Sequence, residues 1–387
     1  MSLDALDLAQ ALIRCPSVTP EEGGALDTLG RALEGIGFTC HRHVFSDENT
    51  PNVDNLYARF GTAAPNFCFA GHTDVVPVGN RDAWTVDPFG GEVIDEKLFG
   101  RGASDMKTAV ACFAAAASRF VERHGSDFGG SISFLITGDE EGVAINGTRK
   151  LLQQIATDGE TLDACIVGEP TNPNALGDMA KIGRRGSLTA NLTVFGIQGH
   201  TAYPHLADNP IHKLIPMLAS IISEPLDDGT DHFQPSTVQI ASVDADNSAS
   251  NVIPGKVTAL FNIRYNDLHT GTSLTEWLHQ QFQSTGAKQG EDYDLAIHVS
   301  GDAFLTPPGT LSEVVTAAVE KATGKKPELS TSGGTSDARF IKDYCPVIEF
   351  GMVGQTMHKT DEHIPAGDVA RLTDIYEAIL DAYFGKT

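Results

Sequence analysis

Three acids, Asp139, Glu140 and Glu141, stand side by side directly after the apolar run 132–136. Adjacent carboxylates repel one another. Holding them at a strand end calls for nearby cations, or for one acid that keeps a proton to transfer; a solvated acidic turn is the alternative. His72 and Asp74 follow the apolar segment 67–70 and lie two residues apart, so on extended backbone they face one side. There both can bind a metal, or the carboxylate can fix the imidazole, although a structural His beside a turn Asp explains the pair as well. Asp105 directly precedes an Ala-rich stretch, the usual place of a helix N-cap. Glu169 follows the apolar segment 164–168 and is clamped by Pro170, and His358 comes after the last apolar strand. Groups of these types on so many separate strand ends are hard to explain as independent accidents, because open α/β sheets place their sites where strands stop.

The elements that must position these groups follow from periodicity. Segments 3–14 and 26–36 predict helices, with Gly37 ending the second. Short strands are predicted over 39–45, 56–60 and 67–70, then an Ala-rich helix over 106–123, a strand over 132–136, a helix over 148–156 and a strand over 164–168. This alternation predicts an α/β layered domain. After Ile182 the pattern changes to strand 188–194, helix 209–223, strands 237–243 and 257–265, helix 273–283 and strand 293–300. That order is β-α-β-β-α-β, a ferredoxin-like unit, expected as an insertion. The domains expected are 1–183 and 301–387, two parts of one catalytic domain, around an inserted domain 184–300. Helix 311–323, strand 347–350 and helix 366–383 complete the first sheet.

The chain has 387 residues, enough for about two or three domains. With 27 basic and 51 acidic residues its formal charge is −24, which disfavours nucleic acid and anionic membranes as partners while leaving room for a local basic pocket. Membrane spans and a signal peptide are not expected, since no apolar run approaches about 20 residues and the amino-terminal segment carries an early acid. The six cysteines are scattered without a C-x-x-C pair, as expected of reduced core thiols in a cytoplasmic protein. Gly100-Arg101-Gly102 lacks the spacing of a dinucleotide loop.

The segments Gly71-His72-Thr73-Asp74-Val75-Val76-Pro77, Gly100 to Lys107 (G-R-G-A-S-D-M-K), Asp139-Glu140-Glu141-Gly142, Gly168-Glu169-Pro170-Thr171 and the late His358 together resemble the M20 metallopeptidase and amidohydrolase family across essentially the whole chain. The resemblance implies a mixed-sheet zinc-hydrolase domain carrying an inserted dimerisation or lid domain, hence a homodimer. It implies two Zn²⁺ per subunit, replaceable by Co²⁺, with Asp105 bridging both ions, His72 and Glu169 completing one, and Glu141 and His358 the other. Two such ions against three carboxylates and a hydroxide leave the cluster neutral. Asp74 would orient His72, and Glu140 would be the general base.

In the segment Gly199 to His205 (G-H-T-A-Y-P-H), His200 would reach the partner subunit's active site and stabilise an oxyanion, with Tyr203 close by. Arg184, Ser187, Asn251, Arg264, Gly334 and Thr335 would meet substrate, and the arginines suit several carboxylates. Whether Arg184 or Arg185 makes that contact is open, and both Arg185 and Arg264 serve equally as ordinary ion-pair partners. The implied reaction removes a succinyl group from a diamino dicarboxylate used for lysine and cell-wall precursors. Alternatives are a deacetylase of acetylornithine, an aminoacylase or a dipeptidase of the same family, and, more remotely, a non-catalytic binding protein or structural dimer.

Overall fold

The computed structural model describes residues 2–386, and these form two compact units. The first comprises the chain up to Ile182, Thr306–Ser330 and the segment from Ser336 on; the second comprises Gly183–Leu305 with Thr331–Thr335.

The first unit is built on a mixed sheet of eight strands in the order Thr39–Phe45, Val53–Phe60, Ser131–Thr137, Asn66–His72, Ala164–Val167, Val347–Glu349, Met179–Lys181, Glu328–Ser330. Asn66–His72 runs parallel to both its neighbours. These central strands are buried on both faces, which is why they read as continuous apolar runs instead of alternating ones. Helix Lys107–His124 packs against helices Ala5–Ile13 and Ala366–Tyr383, and its alanines are fully buried because small side chains let these elements approach closely. Phe69, Phe113, Phe134 and Tyr376 fill the space above the sheet, with the Phe69 and Phe113 rings stacked at 4.6 Å. Gly71 and Gly168, both at strand ends, have a packing reason. A Cβ at either position would collide with Met106, whose side chain lies across the ends of both strands.

A small sheet of Glu92–Ile94, Lys97–Phe99 and His363–Pro365 matters more for function than its size suggests. It pairs His363 with Phe99, and the Gly100 N–H donates to the Glu362 carbonyl at 2.9 Å. The segment that carries His358 is thereby tied to the segment that carries Asp105.

In the second unit an antiparallel sheet runs Thr237–Asp244, Lys256–Tyr265, Gly186–Phe195, Tyr293–Gly301. Helices Pro210–Ile222 and Gly271–Ser284 cover one face, over Leu188, Leu192, Phe261 and Ile263. Its β-α-β-β-α-β order and 4-1-3-2 arrangement are ferredoxin-like. The pairing of Phe304–Leu305 with Gly183–Arg184 carries this unit to Leu305.

Among the described residues no helix is long and apolar enough to cross a membrane, and all six cysteines are free.

Candidate metal centre

The strand-end groups converge within the first unit. His72 closes its strand, and its Nε2 lies 3.2 Å from Asp105 Oδ1 and 3.8 Å from Glu169 Oε1. The other Asp105 oxygen, Oδ2, lies 3.3 Å from His358 Nε2, which is 2.8 Å from Glu141 Oε1. Two ligand groups result, His72/Asp105/Glu169 and Asp105/Glu141/His358, each with its ligand atoms within 4.8 Å of one another and with Asp105 common to both. Asp105 is not the helix N-cap. That position is Met106, which makes no side-chain capping bond, so the Asp105 carboxylate is left to face the two imidazoles. His358 adopts φ 62, uncommon for a side chain other than glycine or asparagine.

The electrostatics of the cluster favour positive charge. Burial opposes the charge on His72, but its hydrogen bond to Asp105 and the charges of Glu140 and Asp74 hold its pKa well above the ordinary value. His358 is pushed up to about 10 by its hydrogen bonds to Asp105 and Glu141. Burial raises Asp105, yet the two imidazoles more than reverse this and lower it. Glu140 is raised by burial and then by the charge of Glu169. The donor set of imidazole and carboxylate suits a divalent cation.

Glu140 belongs to a third convergent group, with His72 and Glu141. The backbone of the triple acid is held by Asp74, whose carboxylate accepts the N–H groups of Glu140 at 3.3 Å and Glu141 at 3.0 Å. The Asp74 carbonyl accepts the hydrogen bond from His72 Nδ1–H, at 2.8 Å, while the Asp74 carboxylate is 3.6 Å away. Asp139 turns away from the cluster and accepts the N–H groups of Ile145 and Asn146, closing the loop.

Residues 68–382 match the model of peptidase family M20/M25/M40. The chain belongs to this family. A succinyl-diaminopimelate desuccinylase of Rhodospirillum centenum is 61% identical over 384 residues, covering 99% of this chain and 98% of that protein. Among solved structures, the M20 family metallo-carboxypeptidase Sso-CP2 of Sulfolobus solfataricus superposes with a TM-score of 0.78 at 16% identity, covering 98% of this chain and 99% of that one. The Bacillus subtilis YXEP protein, described as a dinuclear metal-binding peptidase from the M20 family, gives 0.70 at 14% identity, covering 98% and 97%. As an M20 member, the chain is a hydrolase acting on amide bonds.

The remaining residues expected to face substrate lie in the second unit of this M20 chain and form three groups. Arg184 is buried and its Nη1 donates to the Gly334 carbonyl at 3.1 Å, beside Thr335. Ser187 is paired with Arg264 in register across the sheet, and its hydroxyl accepts from Asn262. Burial and then the neighbouring Arg185 charge lower the Arg264 pKa. A ribbon pairing Gly199 with Ile253 and His200 with Val252 brings His200 beside Asn251, whose carbonyl accepts the Thr201 N–H at 3.0 Å. The exposed His200 and Tyr203 rings lie 5.7 Å apart.

Sequence reasoning passed over Arg101 and Glu362, a buried ion pair at 2.7 Å behind the cluster. It also passed over Lys107, whose fully buried Nζ donates to the Cys15 carbonyl at 2.7 Å. Arg101 and Lys107 lay inside the quoted motif; Glu362, four residues after His358, carried no separate signal.

Proposed function

We propose that this chain hydrolyses N-succinyl-LL-2,6-diaminopimelate to succinate and LL-2,6-diaminopimelate. The observation that carries the substrate is the near full-length relative at 61% identity, a succinyl-diaminopimelate desuccinylase. His72, Asp105 and Glu169 would hold one Zn²⁺, and Asp105, Glu141 and His358 a second, with Co²⁺ able to substitute; the two groups sharing Asp105 support this reading. Bound there, the ions supply Lewis-acid polarisation of the amide carbonyl and acidification of water.

The chain's own part centres on Glu140. It takes the proton from water as the oxygen attacks the succinyl carbonyl carbon, then gives it to the departing amine as the C–N bond breaks. Its raised proton affinity suits it to holding that proton between the two steps. Asp74 fixes the backbone from which Glu140 and Glu141 project and, through its carbonyl, the tautomer of His72. Arg184, Ser187, Tyr203, Asn251, Arg264, Gly334 and Thr335 bind substrate. Of these, Arg264, with the charge of Arg185 beside it, offers positive charge to a substrate bearing several carboxylates.

His200 stabilises the oxyanion across a homodimer formed by the second unit. This unit exposes Ile215 and Ile222 on helix Pro210–Ile222 and leaves one edge of strand Thr237–Asp244 unpaired among the described residues. The free thiols fit a cytoplasmic setting.

The deciding measurement is kcat/KM of zinc-loaded protein on N-succinyl-LL-diaminopimelate beside N-acetylornithine and simple N-acyl amino acids. Preference for one of the latter moves the chain to the deacetylase, aminoacylase or dipeptidase reading. Sedimentation of active protein as a monomer would exclude His200 acting across subunits.

A further inference from the structure

Behind the metal cluster, three loops meet on one ion pair. The Glu362 side chain is fully buried; its Oε2 accepts from Arg101 Nη1 at 2.7 Å, and its Oε1 accepts the backbone N–H groups of Ser104 at 2.8 Å and Asp105 at 3.2 Å. The Arg101 guanidinium also reaches two other segments: Nη1 reaches the Lys359 carbonyl at 3.2 Å, and Nη2 reaches the carbonyls of Pro77 and His358, each at 3.4 Å. Its guanidinium also lies 5.2 Å from the Trp84 ring centroid, and Trp84 is anchored by its Nε1–H to the Val78 carbonyl at 3.0 Å.

A buried ion pair is a poor device for stability alone, since its desolvation cost rivals its attraction. What it can fix is geometry, because a bidentate carboxylate and a planar fork of donors each tolerate few arrangements. Here the acceptors and donors belong to the backbone of Asp105, of His358, and of the loop that follows His72 and Asp74. Neither Arg101 nor Glu362 belongs to either ligand group.

We propose that Arg101 and Glu362 form a positioning pair that presets Asp105 and His358 for binding metal. The division of labour differs between them. Glu362 holds the backbone of the shared ligand Asp105, so it serves both ions; only Arg101 touches the His358 backbone, so it serves chiefly the ion held with Glu141. This inference rests on the reading of Asp105 and His358 as ligands.

The test is a Co²⁺ titration of chelator-stripped protein, followed by visible absorption and calorimetry, on wild type, Glu362→Gln, Arg101→Lys and His358→Ala. Leu372→Ala, in the core of helix Ala366–Tyr383, is included as a variant that loses stability away from the site. Wild type is expected to take two ions and His358→Ala one. Arg101→Lys, which keeps its charge, should weaken one ion by about tenfold or more with an altered absorption band, and Glu362→Gln should weaken both. Leu372→Ala should bind both ions with wild-type affinity.

If His358→Ala loses an ion while Arg101→Lys and Glu362→Gln keep wild-type affinities and spectra, the positioning role is wrong and the ligand reading stands. Two ions retained by His358→Ala would overturn the ligand reading and the inference with it. Equal weakening in Leu372→Ala would reduce the pair to general stability and overturn the inference alone.

Discussion

Asp74 and Glu141 are joined by a hydrogen bond of 3.0 Å from the Glu141 backbone N–H to Asp74 Oδ2, so a carboxylate in one motif segment holds the backbone of a metal-ligand candidate in another. In Asp74→Ala the N–H groups of Glu140 and Glu141 lose this acceptor together. The expected result is a fall in kcat of about 10–100-fold, with KM little changed and Asp74→Asn intermediate. Steady-state kinetics on metal-loaded protein give the answer, and an unchanged kcat would show that the loop needs no such support.

Glu140→Gln removes the base and keeps the size of the side chain. If Glu140 carries the proton, kcat should fall by about 10²–10⁴-fold while metal content is retained. Activity near wild type at full metal content would remove Glu140 from the reaction. Loss of metal together with activity would make it a ligand instead.

Much of this architecture was legible in the chain. Strands such as Thr39–Phe45 and helices such as Ala366–Tyr383 announce themselves by period and by the turn residues that bound them. The ferredoxin-like order was visible because its central strands Gly186–Phe195 and Lys256–Tyr265 alternate, one face packed against helices and the other not. The short strands were not: Lys97–Phe99 and His363–Pro365 are too brief to show a period, and their pairing joins residues far apart in sequence. The site followed the same division. His72, Asp105, Glu141, Glu169 and His358 stood out by type and place at strand ends. Asp105, however, looked like a helix cap until the fold showed Met106 in that position. Glu362 stayed hidden because an acid beside Asp361 in a polar stretch gives no sign that it will be buried against Arg101.

Metal binding should expel protons. Hydrogen bonds to Asp105 and Glu141 push the His358 pKa up to about 10, and His72 is also raised, since against the opposition of burial its bond to Asp105 and the charges of Glu140 and Asp74 together prevail. His358 therefore carries a proton at neutral pH in the metal-free protein and must lose it to act as a ligand, and the raised His72 adds to the effect, so protons should be released on binding and affinity should rise with pH. Calorimetry in buffers of different ionisation enthalpy counts them; zero release would contradict the arrangement. Stability of the metal-free protein carries the matching sign. A folded pKa above the unfolded value means that the His358 contribution is complete below about pH 6.5 and is lost as pH rises through about 10. Its Tm should decline across that window, and metal-loaded protein should not share the decline.

Arg264 supplies the last prediction, which separates binding from structure. Burial and then the charge of Arg185 make its protonated state costlier than usual, and the Arg185 Nε is buried without a hydrogen-bond partner among the described residues. Two guanidinium groups set against each other in this way are unfavourable until an anion joins them. If a substrate carboxylate is that anion, Arg264→Met should raise KM by about 10–100-fold, the cost of one charge-assisted hydrogen bond, and leave kcat nearly unchanged. It should also leave Tm equal or higher, since the repulsion with Arg185 is relieved. A structural role predicts the reverse, a lower Tm with KM unaffected, and that pattern would remove Arg264 from the substrate site.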